Sequence, residues 1–239
     1  KALPITANVT YTLDGVTDTL TFTTAEESFF VDASRYGLVA DGVTDNTAKL
    51  QAALSTCPAG GTVYLPAGTY RTQSLFLQSN TTLYLEKGCT LLGGTDRRDY
   101  PILPGVLPCH NEKNEQYLAL WEGNPLDSFA ALINVINAEN VTITGEGTLD
   151  CNAQNGDWYQ NPKQKKIAWR PRLFFTSGAK NVVLHGVLAC NSYSWTIHPT
   201  YSENVDILNI RIRNSSQSPN TDGIDPESCK NVNIIGNHV

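Results

Sequence analysis

The chain has 239 residues, 41% hydrophobic and 17% charged, a balance that excludes a disordered or low-complexity segment. Its net charge of −6 argues against nonspecific nucleic-acid binding, which draws on a basic surplus. No apolar run approaches the roughly 20 residues of a membrane-spanning helix, so neither nucleic acid nor a membrane is an expected partner. There is no basic-then-apolar leader and residue 1 is Lys, so the sequence is expected to start inside a precursor. The six cysteines, Cys57, Cys89, Cys109, Cys151, Cys190 and Cys229, are an even number that suits an exported protein. Sequons at Asn8, Asn80, Asn140 and Asn214 would matter in the same pathway. The expected location is secreted or periplasmic, and the expected state a monomer.

Residues 1–30 read as a β segment distinct from the rest. Val9, Tyr11 and Leu13 alternate up to Asp14-Gly15, and Leu20 and Phe22 follow, which predicts a hairpin. One helix comes next. Asp45 is the expected N-cap, Thr47, Leu50, Leu54 and Cys57 recur at helical spacing, and Pro58 with Gly60-Gly61 ends the run. Beyond it the chain shows short Val/Ile/Thr-rich runs at 62–65, 81–85, 141–144, 182–184, 205–208 and 232–235, an all-β pattern.

The repeat is more informative. Glu139-Asn140-Val141, Lys180-Asn181-Val182, Glu203-Asn204-Val205 and Lys230-Asn231-Val232 share one pattern, and their Asn residues are 41, 23 and 27 apart. Such periods point to a stacked solenoid, the first interval being one coil plus a long loop. Three columns stay apolar when the copies are aligned: Val141, Val182, Val205, Val232; Ile143, Leu184, Ile207, Ile234; and Ile133, Phe174, Ile197, Ile224. A solenoid requires such columns because each coil buries its inward side chains on its neighbours. A β-sandwich would explain the strands but not the fixed offsets. The expected fold is a right-handed parallel β-helix over 31–239, with the amphipathic helix covering its N-terminal end. Cys89 and Cys190 each lie nine residues after an Asn (Asn80 and Asn181), so they are expected at equivalent interior positions, free and buried.

The same alignment gathers chemistry. Arg172, Trp195 and Asp222 share one column, and His198 and Asp225 another, where stacked strands lie about 4.8 Å apart. A cation, an aromatic platform, an imidazole and carboxylates along a groove suit hydrolysis of an acidic sugar. If Ile224 points inward then Asp222 should too, unless the strand bends at Gly223. Five basic residues, Lys163, Lys165, Lys166, Arg170 and Arg172, read either as a solvated loop or as an anion-attracting rim.

Asn220-Thr221-Asp222-Gly223-Ile224-Asp225-Pro226-Glu227-Ser228 resembles the first active-site motif of family 28 glycoside hydrolases, the polygalacturonases. Trp195-Thr196-Ile197-His198-Pro199 and Arg170-Pro171-Arg172 resemble its exo-acting branch, and 36–68 resembles the opening of family 28 and related β-helix enzymes. The resemblance implies hydrolysis of α-1,4-galacturonosyl linkages in pectin with inversion, a pectic oligo- or polysaccharide as partner, and no cofactor or metal. It implies that Asp222 activates water, with Asp225, Asn220, His198, Trp195, Arg172 and Arg170 binding substrate or supporting the site. It also implies a fibronectin-type module as the source of residues 1–30. Two further carboxylates are expected on a Gly-Asp-Asp coil roughly 20 residues after the first motif. No Gly-Asp-Asp occurs up to Val239, so the sequence resembles the N-terminal part of such an enzyme. A lyase on the same scaffold, a non-catalytic sugar-binding β-helix, and rhamnogalacturonan or xylogalacturonan as substrate remain alternatives.

Overall fold

The structure is a computed structural model that describes residues 6–23, 29–108 and 115–239. Three parallel sheets run the length of a β-helix. The seven-stranded sheet takes Phe30–Asp32, Gly61–Leu65, Thr81–Leu85, Glu139–Gly145, Lys180–His185, Glu203–Leu208 and Lys230–Ile235 in chain order. A six-stranded sheet takes one strand from each of six coils, from Asp41–Asp45 to Arg211–Arg213. The four-stranded sheet takes Leu75–Phe76, Ile133–Ile136, Phe174–Ser177 and Ile197–Thr200. Every neighbouring pair in these sheets is parallel, as a chain advancing one coil per turn must make it.

The predicted columns are in register. Ile133 pairs with Phe174, Phe174 with Ile197, and Ile197 bridges Ile224. Val141, Val182, Val205 and Val232 align, as do Ile143, Leu184, Ile207 and Ile234. Ile143, Leu184 and Ile207 are fully buried, each such side chain contributing about 1.5–3 kcal/mol. Ile234, on the outermost strand, is 46% exposed.

The recurring Asn has a physical cause. Asn80, Asn140, Asn181, Asn204 and Asn231 all have φ between 53° and 59°, a left-handed turn that Asn tolerates better than other residues bearing a Cβ. Their amides form a ladder, each Nδ2 donating to the Oδ1 one coil earlier at 2.9–3.0 Å. Asn80 is a fifth rung that the Asn-Val pattern misses, because Thr81 follows it. All four sequon asparagines are engaged: Asn8 Oδ1 accepts from Thr21 Oγ1, Asn80 and Asn140 are rungs of the ladder, and Asn214 Nδ2 donates to Thr196 Oγ1 and to the Thr221 carbonyl. The 41-residue interval is one coil plus an insertion within 152–169, since Glu139–Gly145 and Lys180–His185 are direct neighbours and Phe174 aligns with Ile197. A second insertion occupies 94–132.

The helix spans Thr47–Thr56 and buries Leu50, Ala53 and Leu54. Its N-cap position is Asn46 rather than Asp45. The Asn46 side chain makes no cap bond and ties Val39 and Thr44, while Asp45 Oδ1 accepts from Thr47 N. The helix covers an exposed sheet edge, as expected. Gln51 donates to the carbonyl of Phe76 and accepts from its N–H, both at 2.9 Å, satisfying the edge strand of the four-stranded sheet. Gln78 returns the favour by donating to the helix's terminal carbonyls at Leu54 and Cys57.

Thr6–Leu13 and Val16–Thr23 form the predicted antiparallel hairpin, with Asp14 and Gly15 at positive φ in its two-residue turn. The coil stack starts at Phe30. Cys57, Cys89, Cys151, Cys190 and Cys229 are free thiols, and Cys109 lies outside the described residues. Cys89 and Cys190 are buried as expected, and burial pushes both thiols up to about 12. They are not equivalent positions, however. Register aligns Cys190 with Asp150 and Leu92, while Cys89 precedes the aligned Thr90. Coil lengths between Asn and strand differ, so counting from Asn loses register there.

Candidate active site

The four-stranded sheet and the turn that follows it carry the site. Arg172 lies just before Phe174–Ser177, Trp195 just before Ile197–Thr200, and Asp222 two residues before Ile224, so the three occupy one row. The Arg172 guanidinium carbon is 4.6 Å from the Trp195 ring centre, which places the first two members in contact. The strand does bend at Gly223, which resolves the alternation problem: Ile224 packs on the core while Asp222 is exposed.

The loop bearing Asp222 is held on both flanks. Arg170 donates to the Pro219 carbonyl at 2.9 Å and to Asn220 Oδ1 at 2.6 Å. Asn214 reaches the Thr221 carbonyl, and the carbonyls of Asp222 and Gly223 accept from Thr196 and Ile197. Asn220 itself sits at φ 55°, the left-handed geometry that Asn accepts in a tight turn.

Arg170 and Arg172 are each only 4% exposed, so neither guanidinium is an open docking point for a sugar carboxylate. Arg172 donates to the Arg170 carbonyl, Ser194 Oγ, the Leu120 carbonyl and His198 Nδ1. It also lies 4.7 Å from the Trp121 ring centre, and Trp121 stacks on Trp195 at 4.9 Å. Burial presses both arginines down, Arg170 to about 10 and Arg172 to about 9.

His198 is fully buried. A guanidinium can only donate, so Arg172 makes Nδ1 an acceptor and leaves the imidazole proton on Nε2. Nε2 faces Glu227 Oε2 at 3.1 Å. Burial pulls His198 down to about 4, which keeps it neutral and fixed in this tautomer. The hydrogen bond from His198, foremost, lowers Glu227 below the usual carboxylate range. Register puts His198 beside Asp225, as expected, but its hydrogen bond goes to Glu227. Asp225 Oδ2 is buried without a hydrogen-bond partner, and burial followed by the Asp222 charge raises Asp225 to about 6.

Glu227, Trp121 and the Leu120 carbonyl join the site without being expected there from the sequence. Glu227 stands two residues past Asp225 in the motif itself, and that spacing returns it to the same face of an extended chain. Trp121 carries no such signal, because it arrives on a hairpin of the 94–132 insertion, Leu120–Trp121 against Asn124–Pro125.

Fold and site together define a parallel β-helix that carries carboxylates, a buried imidazole and a cluster of tryptophans along one sheet. The model of Glycosyl hydrolases family 28 matches residues 115–239, just over half of the chain, and the chain belongs to that family. A Rhamnogalacturonase A/epimerase, pectate lyase-like model matches residues 30–89. A probable polygalacturonase of Vitis vinifera is 34% identical over 83% of this chain and 40% of its own length. An exo-poly-alpha-D-galacturonosidase of Dickeya chrysanthemi is 32% identical over 58% of this chain and 23% of its own. The crystal structure of a hyperthermoactive exopolygalacturonase from Thermotoga maritima superposes with a TM-score of 0.70 at 29% identity, covering 87% of this chain and 52% of that one. The chain thus spans less than half the length of the two curated relatives.

Proposed function

We propose that this chain supplies the water-activating half of an active site that hydrolyses α-1,4-galacturonosyl linkages of pectin with inversion, acting from chain ends. The observation that carries this reading is the placement of Asp222: an exposed carboxylate on a loop clamped by Arg170 and Asn214, beside a second carboxylate, Asp225, raised to about 6. In an inverting hydrolase one carboxylate takes a proton from water while an acid on the opposite face protonates the leaving oxygen, the two standing about 6.5–9.5 Å apart. Asp222 takes the first role. The acid belongs to the Gly-Asp-Asp coil that family resemblance puts after the first motif. Arg172, His198 and Glu227 act as positioning residues, and Trp195 offers the ring face beside them. The exo assignment draws on the Dickeya and Thermotoga relatives. We place the protein outside the cytoplasm, as a monomer acting on a pectic polysaccharide. We take the segment ahead of Phe30 as a module separate from the coils, its hairpin forming a sheet of its own while Phe30 already pairs with Thr62 in the stack.

The test is a reducing-sugar assay on polygalacturonate with the longer protein. Release of galacturonic acid is expected, and Asp222→Asn should lower it by at least about 10²–10⁴-fold without changing the melting temperature. The 239-residue chain should bind oligogalacturonate and not turn it over. Robust turnover by that chain would overturn the division of roles.

A further inference from the structure

Of the five basic residues between 163 and 172, the structure accounts for four. Arg170 and Arg172 are buried in the site, Lys166 pairs with Asp157 at 3.3 Å, and Lys165 is exposed on the loop. Lys163 differs. It lines a cavity of about 280 Å³ together with Trp121, Glu122, Pro162, Trp169 and Asn220.

Three separate segments meet there: the 120–125 hairpin of the 94–132 insertion, the insertion that carries Pro162, Lys163 and Trp169, and the motif loop at Asn220, two residues before Asp222. Trp169, Trp121 and Trp195 form a continuous stack, with centroids 5.8 and 4.9 Å apart. Trp195 is packed edge-on to His198, whereas Trp169 and Trp121 present partly exposed rings to the cavity. Behind that wall lie two guanidinium carbons, 5.9 and 4.7 Å from the Trp121 ring centre, whose donors go to carbonyls, an amide, a hydroxyl and an imidazole. Among the described residues Lys163 has no ion-pair partner within 4 Å.

An aromatic wall, a free cation and positive charge behind the wall are what one acidic sugar ring calls for. We propose that this cavity is a subsite for a single hexuronate unit next to the linkage cut at Asp222. The ring lies against Trp121 and Trp169, its carboxylate on Lys163 Nζ, and Glu122 accepts from ring hydroxyls. This deepens the hydrolase reading above and rests on it. The cavity's volume sits just below the usual span of about 300–1,000 Å³ for small-molecule pockets, which fits one sugar rather than several.

The test is a calorimetric titration of the 239-residue chain with digalacturonate and with the neutral disaccharide of the same linkage, at low salt. Lys163→Gln is expected to weaken digalacturonate about tenfold, the scale of one charge-assisted hydrogen bond, and to leave the neutral sugar within about twofold. Trp169→Ala should weaken both sugars, with melting curves confirming that the variant folds. Because Lys163 is exposed, its variant keeps the test valid even if Trp169→Ala unfolds. Unchanged digalacturonate binding in Lys163→Gln overturns the subsite and leaves the hydrolase reading standing. Absence of digalacturonate binding by the unaltered chain overturns the subsite and the substrate class together.

Discussion

The coil stack and the two insertions hold together by different physics. In the stack, neighbours are joined by parallel backbone ladders, one residue to one, around an aliphatic interior. Among the described residues the insertions contribute only two-residue strand pairs, apart from single bridges, and are fixed by arginines set among aromatic rings. Arg97 stands 4.6 Å from Trp158 and 5.8 Å from Phe129, and chelates Asp157 at 2.6–3.1 Å. Arg172 stands against both rings of the Trp121–Trp195 stack and hydrogen-bonds only neutral acceptors. The difference is one of charge. Arg97 is neutralised by its carboxylate and acts as a rivet, while the uncancelled charge of Arg172 contributes to the field around Asp222, Asp225 and Glu227.

The sharpest way to break this contrast is to remove the aromatic centre of the rivet. Trp158 is fully buried and meets Tyr100, Phe129 and Tyr193 within 5.6 Å. Trp158→Ala should cost about 3–5 kcal/mol in urea unfolding, and a loss below about 1 kcal/mol would mean that the insertions do not depend on this cluster. Trp158→Phe should recover much of it, because the indole N–H is buried without an acceptor. The stack is sharpened by two substitutions in one column. Ile207→Ala should cost about 2–4 kcal/mol, and Ile234→Ala, 46% exposed, under about 1 kcal/mol. Equal costs would show that column membership, rather than burial, sets the energy. Smaller still is the Asn ladder. Asn181→Ala loses two side-chain hydrogen bonds and puts a Cβ-bearing residue without a local acceptor at φ 53°, for about 1–2 kcal/mol. Asn181→Gly should restore the backbone share, and a thermal melt that ranks Gly below Ala would contradict the left-handed turn as the cause.

The same contrast explains what could be read from residues alone. All six Val/Ile/Thr runs belong to the seven-stranded sheet, whose longer strands and Asn-Val starts repeat at fixed offsets. The six-stranded sheet leaves little trace in the sequence because strands such as Thr148–Asp150 and Leu188–Cys190 are only three residues long. Arg172, Trp195, Asp222 and His198 were legible because they ride on coils, where register converts spacing into neighbourhood. Trp121 and Trp169 were not, since no periodicity relates an insertion to the coil on which it folds back. The sequence pattern puts the N-cap at Asp45, one residue before the Asn46 of the structure, whose side chain is drawn to Val39 and Thr44.

The smallest effect is a pH dependence in which two neighbours act with opposite sign. His198 falls from an ordinary value near 6.5 to about 4 in the folded chain. Its contribution to stability is therefore complete above pH 6.5 and is lost as pH falls toward 4, by at most about 3 kcal/mol. Asp225 rises from 3.8 to about 6, so its contribution is complete below pH 3.8 and is lost as pH rises through 6. It is about half-buried, and solvent screening holds this second effect to about 1 kcal/mol. Between pH 4 and 6.5 the two oppose each other, and the unaltered chain should gain stability with pH less steeply than His198 alone would give. Asp225→Asn leaves Glu227, Asp222 and Arg172 in place around His198 and removes only the opposing group. Its unfolding free energy should rise more steeply from pH 4 to pH 6.5 than that of the unaltered chain, by about 1 kcal/mol over the interval. Urea unfolding at pH 4.0, 5.2 and 6.5 would measure both slopes. Parallel slopes would mean that Asp225 is no harder to ionise in the folded chain than in the unfolded one, and that its unpaired oxygen is reached by water.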